Sequence, residues 1–166
     1  MSFLAVMALL AVLPSQADQK TGFSGTETFT GQFIDFGKVT CPGHEPGQWP
    51  PTPCPPGSRI QLRGLVRVWS DSMTDPRASG TNTTTENWSF DENLVGPMWG
   101  TFRLDVSPDS FWEGIWTGEW KTTSGKTRVV GHGGGALEGL QIRYECDYPS
   151  GAGGTCTGQI LDFKSK

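Results

Sequence analysis

From Phe111 to Trp120 the chain sets Trp112, Gly114, Trp116, Gly118 and Trp120 on one parity and Glu113, Ile115, Thr117 and Glu119 on the other. Successive side chains of an extended strand point to opposite faces, so this segment has an aromatic face and a more polar one. The same period of two, rich in Val, Ile, Thr, Phe and Trp, marks seven further segments at 26–36, 59–70, 83–90, 98–106, 126–133, 137–146 and 155–163. That makes eight expected strands. The 23 glycines and 12 prolines punctuate the chain too often for helices of ordinary length.

Short turn-like stretches at 107–110, 123–125 and 133–135 join neighbouring strands, which predicts a meander with antiparallel pairing. Eight such strands can close on themselves and remove the exposed edges that recruit other chains. The expected architecture is therefore all-β, a single antiparallel eight-stranded up-and-down barrel, with a sandwich as the structural alternative. Two interruptions are longer. Residues 41–57 hold seven prolines and must form an irregular loop, because proline donates nothing to a ladder. The polar stretch 70–82, with Pro76 and Gly80, reads as a mobile loop.

Residues 1–17 have an apolar centre from Phe3 to Leu13 followed by Pro14-Ser15-Gln16-Ala17, the pattern of a secretory signal peptide cut after Ala17. No Lys or Arg precedes that centre, which departs from the usual positive start. The run is too short for a transmembrane helix of roughly 20 residues. Residues 18–166 then form one domain, secreted or periplasmic. In such a compartment four cysteines predict two disulfides. The local pairs Cys41–Cys54 and Cys146–Cys156 are expected, since each closes a short Pro- or Gly-rich loop. Cys41, His44 and Cys54 give three metal ligands where a structural zinc site takes four, so no metal is expected. With 17 acidic against 13 scattered basic residues, the chain also lacks the basic stripe that nucleic acid requires.

The segment Gly131-His132-Gly133-Gly134-Gly135-Ala136-Leu137-Glu138-Gly139-Leu140 is the most distinctive in the chain. A strand that ends in a Gly-rich turn and continues through Glu-Gly-Leu into the next resembles the allene-oxide-cyclase-like barrel proteins, with strand order and spacing matching over 83–163. The resemblance implies a calycin-type barrel with a largely apolar central cavity, used in some relatives to cyclise or isomerise small hydrophobic substrates. It transfers no catalytic residue to this chain, and the Pro-rich disulfide loop has no place in the family pattern.

Several side chains are candidates for chemistry. Glu138 lies in phase with Leu140, Ile142 and Tyr144, and His132 is one of only two histidines, the side-chain type suited to moving protons at physiological pH, so these two are the proton-transfer candidates. The alternative for His132 is a hydrogen-bonded structural residue. Glu113 and Glu119 should point outward if the tryptophan face of their strand is buried. The triplet Gly133–Gly135 reads as a turn rather than a phosphate cradle, because no helix follows it. No Gly-x-Ser-x-Gly motif supports a covalent route. Trp112, Trp116, Trp120 and Trp99, with Trp69 and Trp88, either line an apolar pocket or fill a core. Asn82-Thr83-Thr84 and Asn87-Trp88-Ser89 are glycosylation sequons.

Three functions stay open on these residues: a barrel binding a small apolar molecule, a cofactor-independent cyclase or isomerase, or a carbohydrate- or protein-binding module with tryptophans outside. The direction of the tryptophan stripe and of Glu138 discriminates among them.

Overall fold

The computed structural model describes residues 19–42 and 54–162. The leader, its cleavage point, His44 and four of the seven loop prolines lie outside the described residues.

The expected strands form. They are β1 (Gln19–Thr40), β2 (Ile60–Met73), β3 (Gly80–Phe90), β4 (Val95–Ser107), β5 (Ser110–Lys121), β6 (Ser124–Gly135), β7 (Leu140–Ser150) and β8 (Gly153–Asp162). Each pairs antiparallel with the next, and β8 returns to β1 from Gln19↔Asp162 to Thr28↔Gly153, closing one ring-like sheet. Among the described residues there is no α-helix; one 3-10 turn, Pro76–Ala78, joins β2 to β3. Among the described residues no helix is long and apolar enough to cross a membrane.

Most strands run beyond their expected limits, β1 furthest, from Gln19 to Thr40 against 26–36, and Gly133–Gly135 ends β6 as strand rather than forming the expected turn. Most of the stretch 70–82 is not a loop: β2 runs on to Met73 and β3 begins at Gly80, with Asp71 paired to Gly80 and Ser70 to Thr81. Asp75 caps the intervening turn by accepting from the Arg77 amide at 2.9 Å, and Ser79 Oγ accepts from the Met73 amide. Polar side chains here satisfy a tight connection, a task that composition alone does not separate from a solvated loop. Residues 136–139 form a turn, so β7 starts at Leu140 rather than Leu137.

Alternation along the ring sends one parity inward. On β5 Trp112 and Trp116 are buried while Glu113, Ile115, Thr117 and Glu119 are exposed. On β2 a bulge at Gly64, whose φ of +72° favours glycine, shifts the register between Arg63 and Leu65. As a result Leu62 and Leu65, three apart, are both fully buried. The outer face of β5–β7 carries the ion pairs Lys126–Asp147 and Arg128–Glu145.

The two ends of the ring are unlike. At one end Leu104, Trp112, Ile142 and Ile160 pack into a floor in which none exceeds 2 % exposure. Trp112 Nε1 donates to the Arg77 carbonyl at 2.6 Å, fastening the 3-10 turn across that floor. Each such apolar side chain contributes on the order of 2 kcal/mol by leaving water. Both expected disulfides are present, Cys41–Cys54 at the other end and Cys146–Cys156 across β7 and β8.

Candidate functional site

Above the floor the ring encloses a cavity of about 860 Å3. Its walls carry Trp69, Trp88, Met98, Phe102, Trp116, Trp120 and Val129, and its mouth lies among the turns that hold Glu92, Leu94, Thr122, Thr123 and Gly151. Glycines on neighbouring strands make room for the rings. A side chain at Gly100 would meet the Trp116 indole nitrogen at 2.8 Å, and one at Gly131 would meet Phe102 at 2.6 Å.

One side of the cavity is polar, and it is built by β1, β2, β3 and β7. Arg67 on β2 binds Glu86 on β3 through two parallel contacts, Nε to Oε1 at 2.8 Å and Nη2 to Oε2 at 2.6 Å. Thr84 Oγ1 and Trp88 Nε1 donate to the same carboxylate at 2.8 and 3.1 Å, and Trp69 Nε1 donates to Thr84 at 3.1 Å. The guanidinium also sits over the rings of Trp69 at 4.6 Å and of Trp88 and Phe29 at 5.3 Å. Bidentate geometry and saturated hydrogen bonding are what a buried ion pair requires to be tolerated.

Next to it lies a second acidic group. Asn82 Nδ2 donates to Glu27 Oε1 at 3.2 Å and to Asp71 Oδ2 at 3.3 Å, while the Tyr148 hydroxyl donates to Glu27 Oε2. Burial pushes the Glu27 carboxyl up to about 7; the Tyr148 hydrogen bond opposes this and the Glu86 charge adds to it. Burial and then the Glu27 charge push Asp71 up to about 9. Desolvation raises Tyr144 and Tyr148 well above the ordinary tyrosine value, so both hydroxyls stay protonated. The Cys146 and Cys156 sulfurs and a Glu27 oxygen lie within 4.8 Å of one another. Joined as a disulfide, the sulfurs offer no thiolate to a metal.

Four polar atoms of this region make no hydrogen bond despite burial: Trp116 Nε1, Asn82 Oδ1, Thr127 Oγ1 and Asp71 Oδ1. The Tyr144 and Tyr148 hydroxyls lie near Asn82 and Thr127 without ordinary hydrogen-bond geometry to those two oxygens. Leaving a polar group buried and unpaired costs about 1–3 kcal/mol.

The residues singled out from sequence separate. Trp116 and Trp120 line the cavity. Trp112 belongs to the floor beneath it. Trp99 faces outward at 37 % exposure under Arg63, whose guanidinium is 4.8 Å from its ring, because Met98, Gly100 and Phe102 take the inward parity of β4. Glu138 sits exposed on the β6–β7 turn, His132 is exposed on β6, and neither lines the cavity. The Asn82 sequon is a buried amide holding two carboxyls, whereas Asn87 is at the surface, donating to the Trp99 carbonyl. Sequence reasoning missed Glu27, Arg67, Asp71, Asn82 and Glu86. Their signal was parity: Glu27 is two residues from Phe29, Asp71 two from Trp69, and Glu86 two from Trp88.

No protein-family model, no curated protein and no solved structure matches this chain.

Proposed function

We propose that this is an extracytoplasmic protein that binds a small, predominantly apolar molecule inside its ring of strands. The observation that carries the reading is the aromatic-walled cavity of about 860 Å3, open at one end and floored at the other. Ligand sites are concave, largely apolar and about 300–1,000 Å3, with a few polar groups to orient the guest. An eight-stranded ring is just wide enough for one such molecule. The unpaired Trp116 N–H supports the reading, since a ligand acceptor would relieve its cost. Two disulfides suit an oxidising compartment. Kinship with allene-oxide-cyclase-like barrels remains part of this proposal and rests on the ring order and the 131–140 segment.

A cofactor-independent isomerase is the second reading, favoured by one feature. Glu27, with a carboxyl that titrates near neutrality, lines the cavity beside the Tyr148 hydroxyl, whereas Glu138 and His132 do not reach it. A surface-binding module is disfavoured by the inward turn of Trp112 and Trp116.

Titration with the neutral fluorophore N-phenyl-1-naphthylamine tests the binding reading. Its emission should rise and tryptophan emission fall, and Trp116→Ala should change the affinity by about tenfold, as about 1.4 kcal/mol would. Arg143→Ala, on the outer face, should leave it unchanged. Absence of binding up to the solubility limit of the probe would overturn the reading.

A further inference from the structure

We propose, building on the ligand-binding reading, that the occupant of the cavity is a primary amine on an aromatic-sized apolar body, its ammonium seated among Glu27, Asn82 and Thr127.

Charge is the first argument. Three carboxyl groups, Glu27, Asp71 and Glu86, lie within the ring, and Arg67 is the one cation among the described residues lining the cavity. Arg67 is committed to Glu86 by both of its contacts. Glu27 and Asp71 are bridged by the neutral Asn82 amide, and Glu27 also accepts from the Tyr148 phenol, with no cation paired to either carboxyl. The groups facing Glu27 are Arg67 and Asp71 from β2, Asn82 and Glu86 from β3, and Tyr144 and Tyr148 from β7. From β8 the neighbour is Cys156, already in a disulfide. A buried carboxyl without a counter-ion keeps its proton; a cation brought into contact favours the ionised form instead.

Hydrogen bonding is the second and independent argument. The unpaired atoms on the cavity wall include two acceptors, Asn82 Oδ1 and Thr127 Oγ1, each on a residue more than nine-tenths buried. An ammonium has three donors and no acceptor. Glu27 with these two oxygens offers three acceptors, and an alcohol can satisfy only one with its single proton. The surrounding rings of Trp69, Trp88, Phe102 and Trp116 add cation–π attraction and accept the apolar body.

The test is displacement of N-phenyl-1-naphthylamine by 2-phenylethylamine and by its near-isostere 2-phenylethanol. At pH 8 the amine should displace the probe at least tenfold more effectively than the alcohol. That advantage should shrink about tenfold at pH 6, where an unliganded carboxyl titrating near 7 holds its proton. Calorimetry of amine binding at pH 6.5, repeated in two buffers of different ionisation heat, should show proton release and needs no variant. Glu27→Gln should still bind the probe but lose the amine preference and its pH dependence; Thr127→Val should weaken the amine alone. Equal displacement by amine and alcohol, or a preference that survives in Glu27→Gln, overturns the amine assignment while probe binding leaves the cavity reading standing. Failure of the probe itself to bind removes both.

Discussion

Glu27 and Asp71 shape how this protein should respond to pH. Both hold their protons in the folded state to about 7 and about 9, against ordinary values of 4.5 and 3.8. Between those limits the folded chain binds more protons than the unfolded one, so raising the pH favours unfolding. Thermal stability should therefore be greatest near pH 4 and decline toward pH 9, with Tm falling on the order of 10 °C, the shift about 3 kcal/mol produces in a domain of this size. Asp75, held below its usual range by the hydrogen bond from Arg77, acts in the opposite sense and only under more acidic conditions. Scanning calorimetry across the range checks this, and the double variant Glu27→Gln, Asp71→Asn should flatten the profile. A profile rising from pH 5 to 9 would refute the burial of these carboxyls as neutral groups. None of this was legible from charge alone. The acids prominent in the sequence, Glu113, Glu119 and Glu138, are exposed, and those that matter are read only once each strand's inward parity is known.

At the scale of the strands, glycine and aromatic residues are complementary. Gly158 on β8 faces Tyr144 and Phe23, whose atoms a methyl group would approach to 2.4 and 2.7 Å, alongside the Arg143 carbonyl at 2.5 Å. Gly22 on β1 has only the Gly158 carbonyl, at 3.9 Å. Gly158→Ala should then cost about 1–3 kcal/mol by overpacking. Gly22→Ala should fall within about 0.5 kcal/mol of wild type, the range for surface changes. Urea titration of the two variants makes the comparison, and similar midpoints would contradict the packing argument. The sequence made the strands legible because alternation runs unbroken along β5 and β6 and over long enough stretches of the others to survive the bulges in β1 and β2. It did not make the β2–β3 connection legible, because Asp75, Arg77 and Ser79 look the same whether they solvate a loop or cap a turn. Nor did it separate Trp112 from Trp116: the two share a parity, and their distance from the end of the ring decides which is floor and which is wall.

The whole molecule is closed by its last strand, so the ring cannot be completed until β8 finds β1 across almost the entire chain. Such long-range pairing makes folding slow, and the cross-links gain importance accordingly. Cys41–Cys54 and Cys146–Cys156 span 13 and 10 residues. In the chain-entropy view each stabilises by about 3 kcal/mol. Replacing Cys146 and Cys156 together with Ala should lower the unfolding free energy by that order, measured by chemical denaturation followed through tryptophan emission, and an unchanged value would show that the ladder alone fixes the β7–β8 pair. The pairings were legible because each closes a short loop; the cavity was not, since the same aromatic count fits a packed interior or a hollow one.

Because Gln19 and Asp162 are paired neighbours at the floor end, the ring has no topological beginning. Its order of strands is cyclic, and the point where the chain is cut is incidental to it. Both Gln19 and Asp162 stand at the sealed end, opposite the turns that frame the mouth.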